Sequence, residues 1–139
     1  MDGVAPIDAE TAAEITRAAA LRSAIRRFAA RTEVVASETG ISSEHYNLLL
    51  MLQDAELTGR PLSVSGLTAA STLQQTAVRE FVAGAERAGL VEREHSAPDR
   101  PTLRLTDRGQ RRLVAAFVAL RHDRAELARA VERLGDGRS

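Results

Sequence analysis

Cysteine is absent from the 139-residue chain, which excludes disulfides, Cys-containing zinc sites, thiol catalysis and cysteine-based redox sensing. Tryptophan is absent as well, and aromatic residues make up 3% of the sequence, with one Tyr. So thin a supply argues against an aromatic base-stacking platform for single-stranded nucleic acid. Lysine is missing too: all 19 basic residues are Arg, a pattern read first as compositional bias. No stretch approaches the roughly 18 consecutive apolar residues of a membrane span. The opening Met1-Asp2-Gly3-Val4-Ala5-Pro6 is acidic and lacks the basic and apolar blocks of a signal peptide. The expectation is a soluble cytoplasmic protein. Neither a Gly-rich phosphate loop nor a His-Glu-x-x-His run occurs, and the carboxylates lie on helix faces beside Arg, so no enzyme is expected.

Acids also number 19, giving zero net charge, which excludes a polycation that binds nucleic acid through bulk charge. The neutrality is uneven. Residues 1–59 carry 5 Arg against 9 acids, residues 60–112 carry 9 Arg against 6, and residues 113–139 carry 5 against 4. The middle of the chain is where a polyanion is expected to bind.

Hydrophobic periodicity supplies the elements. Residues 8 to about 37 read as a long helix with the stripe Ile15, Ala18, Leu21, Ile25, Phe28, Ala29, Thr32 and Val35, ended by Gly40. Ser42 or Ser43 caps a second helix through Tyr46 and Leu48–Leu52, apolar nearly all round and expected at the centre of the core. Gly59-Arg60-Pro61 closes it. A short helix runs from Ser63 to about Ala70. Another starts near Leu73 and ends at Gly89, with Thr72 and Gln75 spaced as a capping box and Val78, Phe81, Val82 and Ala85 inward. Gly84 inside it costs about 1 kcal/mol relative to Ala, which close approach of a neighbouring helix would explain. Leu90–His95 and Thr102–Thr106 then read as strands around the loop Ser96–Pro101, a hairpin. Thr106 caps one final long helix with the stripe Leu113, Ala116, Phe117, Leu120, Leu127, Val131 and Leu134, stopped by Gly135-Asp136-Gly137. The fold class is mainly α with a small β-hairpin.

Two helices joined by a tight turn and followed by a hairpin form a winged helix-turn-helix, whose second helix enters the DNA major groove. Here that helix begins Leu73-Gln74-Gln75-Thr76-Ala77-Val78-Arg79. Gln pairs bidentately with adenine and Arg with guanine, which makes Gln74, Gln75, Thr76 and Arg79 candidate base readers. The helix N-terminus can donate amides to a phosphate. Arg100 at the hairpin tip is placed to probe the minor groove, or else to pair with Asp99. Arg104, Arg108 and Arg111 are placed for phosphates. Ser63 and Ser65, opening the short helix, complete the candidate set. The long terminal helices, 8–40 and 107–139, flank the winged unit at 41–106, and their stripes suggest a two-fold homodimer that presents two recognition helices to a pseudo-palindromic duplex.

The segments Leu62–Leu67, Ala88–Arg93 and Leu103–Gly109 are similar to the MarR family of bacterial transcription regulators. The most specific matches are Gly89-Leu90-Val91 after the recognition helix and Leu105-Thr106-x-x-Gly109 entering the last helix. The resemblance implies a single MarR-like domain over 1–139 and a dimeric DNA-binding regulator, a repressor or an activator, with repressor preferred. It also implies a pocket for a small aromatic or amphipathic effector, with Phe28, Tyr46 and Phe117 as candidate lining. No cofactor is implied. His45, His95 and His122 are too scattered for a zinc motif.

The chain departs from the family pattern in four places. Thr72 stands where the turn usually holds Gly. Glu80 stands where Arg is frequent, with Arg79 one place earlier. The wing is shorter, with Asp99 and Arg100 adjacent. The last helix ends early, so that the usual extra C-terminal helix is expected to be missing or reduced. These departures keep a second reading open, a winged-helix interaction module with weak or no specific DNA binding.

Overall fold

Helix ends in this protein are set by local hydrogen bonds at the positions the sequence marks. The computed structural model describes residues 5–95 and 100–135. It contains α1 (Ala9–Glu38), α2 (Ser43–Leu57), α3 (Val64–Ala70), α4 (Gln75–Arg87), β1 (Val91–Glu94), β2 (Thr102–Leu105), α5 (Asp107–Ala119) and α6 (Arg121–Gly135). Asp8 starts α1 by accepting the Thr11 amide at 2.7 Å. The backbone amide of Thr11, and then its side chain, hold the Asp8 carboxyl below the ordinary carboxylate value. Ser42 and Ser63 cap α2 and α3 through the amides of His45 and Gly66. At the other end of α1, Gly40 takes φ +84°. Its amide and that of Ile41 return to the Ser37 and Ala36 carbonyls, the paired closure that a left-handed residue permits. Part of the expected wing loop, Ser96–Asp99, and the Asp136-Gly137 stop lie outside the described residues.

The chain divides into two compact units, Met1–Thr32 with Leu120–Ser139, and Glu33–Ala119. In the second unit α2 packs on α4, α5 and β2, while α3 packs on α4. Leu49, Leu52, Leu67, Val78, Val82, Leu103 and Ala116 are almost fully buried there. The central place of α2 is as the sequence suggests, except that Leu50 and Leu57 face outward. The strands pair antiparallel with Val91 opposite Leu105 and Arg93 opposite Leu103, which sends Leu103 and Leu105 inward and Arg104 outward. The Leu103 amide also donates to the Leu62 carbonyl at 2.8 Å, fastening the segment before α3 to the hairpin.

The other unit pairs the first part of α1 with α6. Ala24 and Ala130 are buried in it, and Arg31 meets Asp123 at 3.4 Å. Thr32, buried at 5%, donates to its own helix at the Phe28 carbonyl.

Two sequence expectations are corrected. The final helix is interrupted at Leu120, giving α5 and α6 where one helix was expected. An additional C-terminal helix is therefore present, not missing or reduced. No Gly or Pro marks the break and the apolar period continues through it, so the sequence carries no breaker signal. The Thr72–Gln75 capping box does not form either. Ser71 closes α3, its hydroxyl donating to Thr68 and accepting the Leu73 amide, and that turn delays α4 to Gln75.

Gly84 sits where the sequence places a close approach. A Cβ there would lie 3.3 Å from His45 Nε2 on α2, and the His45 ring meets Phe81 edge-on at 6.4 Å.

The tightest constraint joins the two motifs Gly89-Leu90-Val91 and Leu105-Thr106-x-x-Gly109. The Thr106 hydroxyl donates to the Gly89 carbonyl at 2.6 Å and accepts the Gly109 amide at 3.0 Å. The Thr106 amide donates to the Leu90 carbonyl at 3.0 Å. A Cβ on Gly109 would run into that same Leu90 carbonyl. Gly109→Ala should therefore destabilise the protein by about 3 kcal/mol, because backbone cannot repack as a side chain can. Thr106→Val should cost about 1–2 kcal/mol through the lost cap. Urea unfolding monitored by circular dichroism measures both, and a Gly109→Ala midpoint equal to wild type would contradict this account.

Candidate nucleic-acid interface

The outward face of α4 follows from its inward one. Val78, Val82 and Ala85 are buried, so helical spacing turns Thr76 to the opposite side and Arg79 to the flank, while Gln75 lies on the side of the buried stripe but in the first turn, and all three are exposed. Gln74 is the N-cap residue, with extended backbone and no side-chain capping bond. The first intrahelical bond runs from the Val78 amide to the Gln74 carbonyl. The amides of Gln75, Thr76 and Ala77 thus project from the helix start beside exposed Gln and Thr side chains, an arrangement suited to a phosphate or a base edge. Glu80 is exposed beside Arg79.

The other candidates fall into distinct settings. Ser63 and Ser65 share a cleft of about 440 Å³ with Arg93, Arg100 and Pro101, but the Ser63 hydroxyl is already committed to capping Gly66 at 3.1 Å. Arg100 is exposed, and its alternative partner Asp99 lies outside the described residues. Arg108 is exposed, its stem running over Gly89. Arg111 is exposed as well.

Arg104 is held differently. It donates to Glu94 at 2.7 Å and lies within 3.8 Å of Glu56 and 3.9 Å of Glu92. The bond to Glu94, then its charge and that of Glu56, raise the Arg104 pKa above its ordinary value. A phosphate would compete there with three carboxylates. Arg93 pairs with Glu86 at 3.0 Å, and Arg112 donates to the Thr39 and Gly40 carbonyls at the end of α1. These side chains absorb part of the basic excess of residues 60–112, and the sequence reading did not anticipate it. The cross-strand register alone carried a signal, since Glu92 faces Arg104 once Val91 pairs with Leu105.

The three aromatic candidates for an effector pocket sit in different surroundings. Phe28 lines a cleft of about 280 Å³ with Arg27, Arg31 and Leu127. Tyr46 is buried at 3%, and Phe117 lies on α5 with its surface partly exposed. Among the described residues no three His, Asp or Glu side chains cluster as metal donors. His122 bonds Glu126 at 2.7 Å. No helix among them is long and apolar enough to cross a membrane.

A short helix, a turn, a longer helix and an antiparallel hairpin, seated on α2 and α5, define a winged helix-turn-helix protein. Its structural neighbours include MarR-family transcription regulators. MepR of Staphylococcus aureus, solved in complex with DNA, superposes with a TM-score of 0.67 at 19% identity, covering 76% of each chain. A point mutant of Escherichia coli MarR complexed with operator DNA gives 0.63 at 14%, covering 76% of this chain and 75% of that one. RV1404 from Mycobacterium tuberculosis gives 0.63 at 21%, covering 94% and 84%. At these identities the likeness is one of fold. No protein-family model and no curated protein matches the sequence.

The bare N-cap yields a stability test. Gln74→Ser should stabilise the protein by about 0.5–1 kcal/mol by supplying the missing cap bond. Urea midpoints of the two proteins measure it, and a lower midpoint for the variant would contradict the bare-cap geometry.

Proposed function

We propose that this protein is a transcription regulator that binds duplex DNA through α4, a repressor that works as a homodimer. The observation that carries the reading is the start of α4. Its free first-turn amides adjoin Gln74, Gln75, Thr76 and Arg79, all exposed at the N-terminal end of a helix in the recognition position. Neighbours of the same fold solved on DNA support it. Gln74, Gln75, Thr76 and Arg79 read base edges. Ser65, Arg100, Arg108 and Arg111 meet sugar and phosphate, while Arg104 serves the hairpin by neutralising Glu56, Glu92 and Glu94. The dimer reading rests on apolar side chains left at the surface of one chain: Ile7, Ile15 and Ile25 on or before α1, Val114 and Val118 on α5, Val131 on α6. The working span is 1–139 as one functional domain, with 8–40 and 107–139 for dimerisation and 41–106 for DNA. Such a regulator acts in the cytoplasm on a pseudo-palindromic operator.

Fluorescence anisotropy on a duplex from the protein's own promoter region tests the first part. Affinity should fall steeply with salt, because bound phosphates release counterions. Arg79→Ala should cost about 1–3 kcal/mol of specific binding, whereas Arg104→Ala should change affinity much less. Salt-independent binding that does not distinguish this duplex from random DNA would sink the reading and favour a winged-helix interaction module, to which the carboxylates around Arg104 give some support. Light scattering at micromolar concentration tests the second part. A dimer is expected, and a monomeric mass would remove the two-fold operator from the proposal.

A further inference from the structure

The acidic first part of the chain conceals a basic stretch: residues 15–32 carry five Arg and no acid. That stretch lies on α1 where it pairs with α6. Arg31 meets Asp123 near the start of α6, and Arg17 shares a cleft with Leu134 near its end, so the two helices run antiparallel. Two clefts between them, of about 280 and 300 Å³, share Arg27, Ala130 and Arg133 and so form one groove. From Arg17 to Arg31 it extends about 21 Å at the helical rise. Ala24 and Ala130 are buried in its floor, with Phe28 and Leu127 half-buried beside them. Guanidiniums stand on both walls, Arg17, Arg27 and Arg31 from α1 and Arg129 and Arg133 from α6. The two carboxylates of the groove are already engaged, Asp123 by Arg31 and Glu126 by His122. Arg27, Arg129 and Arg133 are exposed and have no carboxylate partner among the described residues.

The groove thus combines an apolar floor with unpaired positive charge on both walls. A duplex backbone answers only the charge and leaves the floor bare. A small anion fills one cleft and leaves the guanidiniums of the other unmatched. An amphipathic helix with apolar side chains three and four apart, flanked by Glu or Asp, answers both. The small side chains of Ala20, Ser23 and Ala24 let the axis of a third helix come close. We infer that the α1–α6 groove docks an acidic amphipathic helix of a partner protein. Its apolar side chains lie over Ala24, Phe28 and Leu127, and its carboxylates meet Arg27, Arg129 and Arg133, opposite charge selecting the partner. The side chains assigned to the dimer point elsewhere. Ile25 and Val131 each precede a groove Arg by two residues and so lie about 160° round the helix from it. The apolar patch and the basic groove therefore occupy opposite flanks of the α1–α6 pair. The inference adds a protein partner and does not rest on DNA binding by α4.

The probe is a fluorescein-labelled peptide built from two Leu-Glu-Glu-Leu-Leu-Glu-Glu repeats. A shuffled peptide of the same composition, a Lys-for-Glu counterpart and a random-sequence duplex serve as comparisons. Anisotropy on the full chain should show the acidic helix binding about tenfold or more tighter than the shuffled peptide, with no binding of the Lys counterpart. Arg27→Glu and Arg133→Glu should each weaken it about tenfold. Arg26→Glu, the same charge change one position along but outside the groove, should alter it less than about twofold, because solvent and salt screen a charge off the contact. Ala20→Trp should block the groove without altering its charge. All four positions are exposed, so the circular dichroism of each variant should match wild type. Equal binding of the shuffled peptide, equal loss in Arg26→Glu and Arg27→Glu, peptide binding indifferent to Ala20→Trp, or no binding at all would overturn the site. Loss of duplex binding instead of peptide binding in Arg27→Glu and Arg133→Glu would overturn it in favour of a phosphate-backbone contact. Operator binding through α4 is read separately by Arg79→Ala, and its failure leaves this result unchanged.

Discussion

The first turn of α5 approaches the Leu90 carbonyl so closely that only hydrogen fits at Gly109. Much of the winged unit depends on that contact. Leu90 lies between the end of α4 and the start of β1, and its carbonyl accepts the Thr106 amide from the far end of the hairpin. Thr106 completes the joint by bonding the Gly89 carbonyl on one side and capping α5 on the other. The end of α4, both strands and the start of α5 are thereby tied at one point. Gly89, at φ +75°, turns the chain into it. The two short motifs that are most specific in the sequence are the two halves of this joint, which gives their spacing a physical cause.

From this joint outward, rigidity is unequal along α4. Its C-terminal end is closed by the Gly89 and Leu90 amides returning to the Glu86 and Ala85 carbonyls. Its N-terminal end has no side-chain cap and rests on a turn above an apolar cleft. The helix is closed by hydrogen bonds where it meets the hairpin and uncapped by a side chain where it begins. That polarity suits a reading head, since amides left without internal partners remain available to an external one.

The hairpin shows how charge counts mislead. Residues 60–112 are basic by composition, yet Arg93, Arg104 and Arg112 are taken up by Glu86, by the carboxylates of α2 and β1, and by carbonyls at the end of α1. The basic residues left without such partners among the described side chains include Arg79, Arg100, Arg108 and Arg111. The candidate interface is therefore a selection from the basic segment, made by the strand register and by which helix ends lie within reach of a guanidinium.

Much of the fold was legible in the sequence because its signals are local. Gly40, Ser42, Ser63 and Gly89 act through bonds to residues a few places away, as Thr106 does in capping Gly109, and the alternation in Thr102–Leu105 needs only a strand with one buried face. Gly84 showed that something comes close, but not that it is His45. The structure alone decided three further matters. The interruption at Leu120 has no residue of its own to announce it. The Thr72–Gln75 capping box had the right spacing, but α4 starts at Gln75 with Gln74 as its N-cap, so the two residues do not hold the cap and third-residue positions that the box requires. Arg104 had the right chemistry for a phosphate and instead met three carboxylates from two elements, α2 and β1. Capping and period follow from neighbours along the chain, so sequence determined them. Which of several suitable partners a side chain takes depends on distances between elements far apart in the chain, and only tertiary packing sets those.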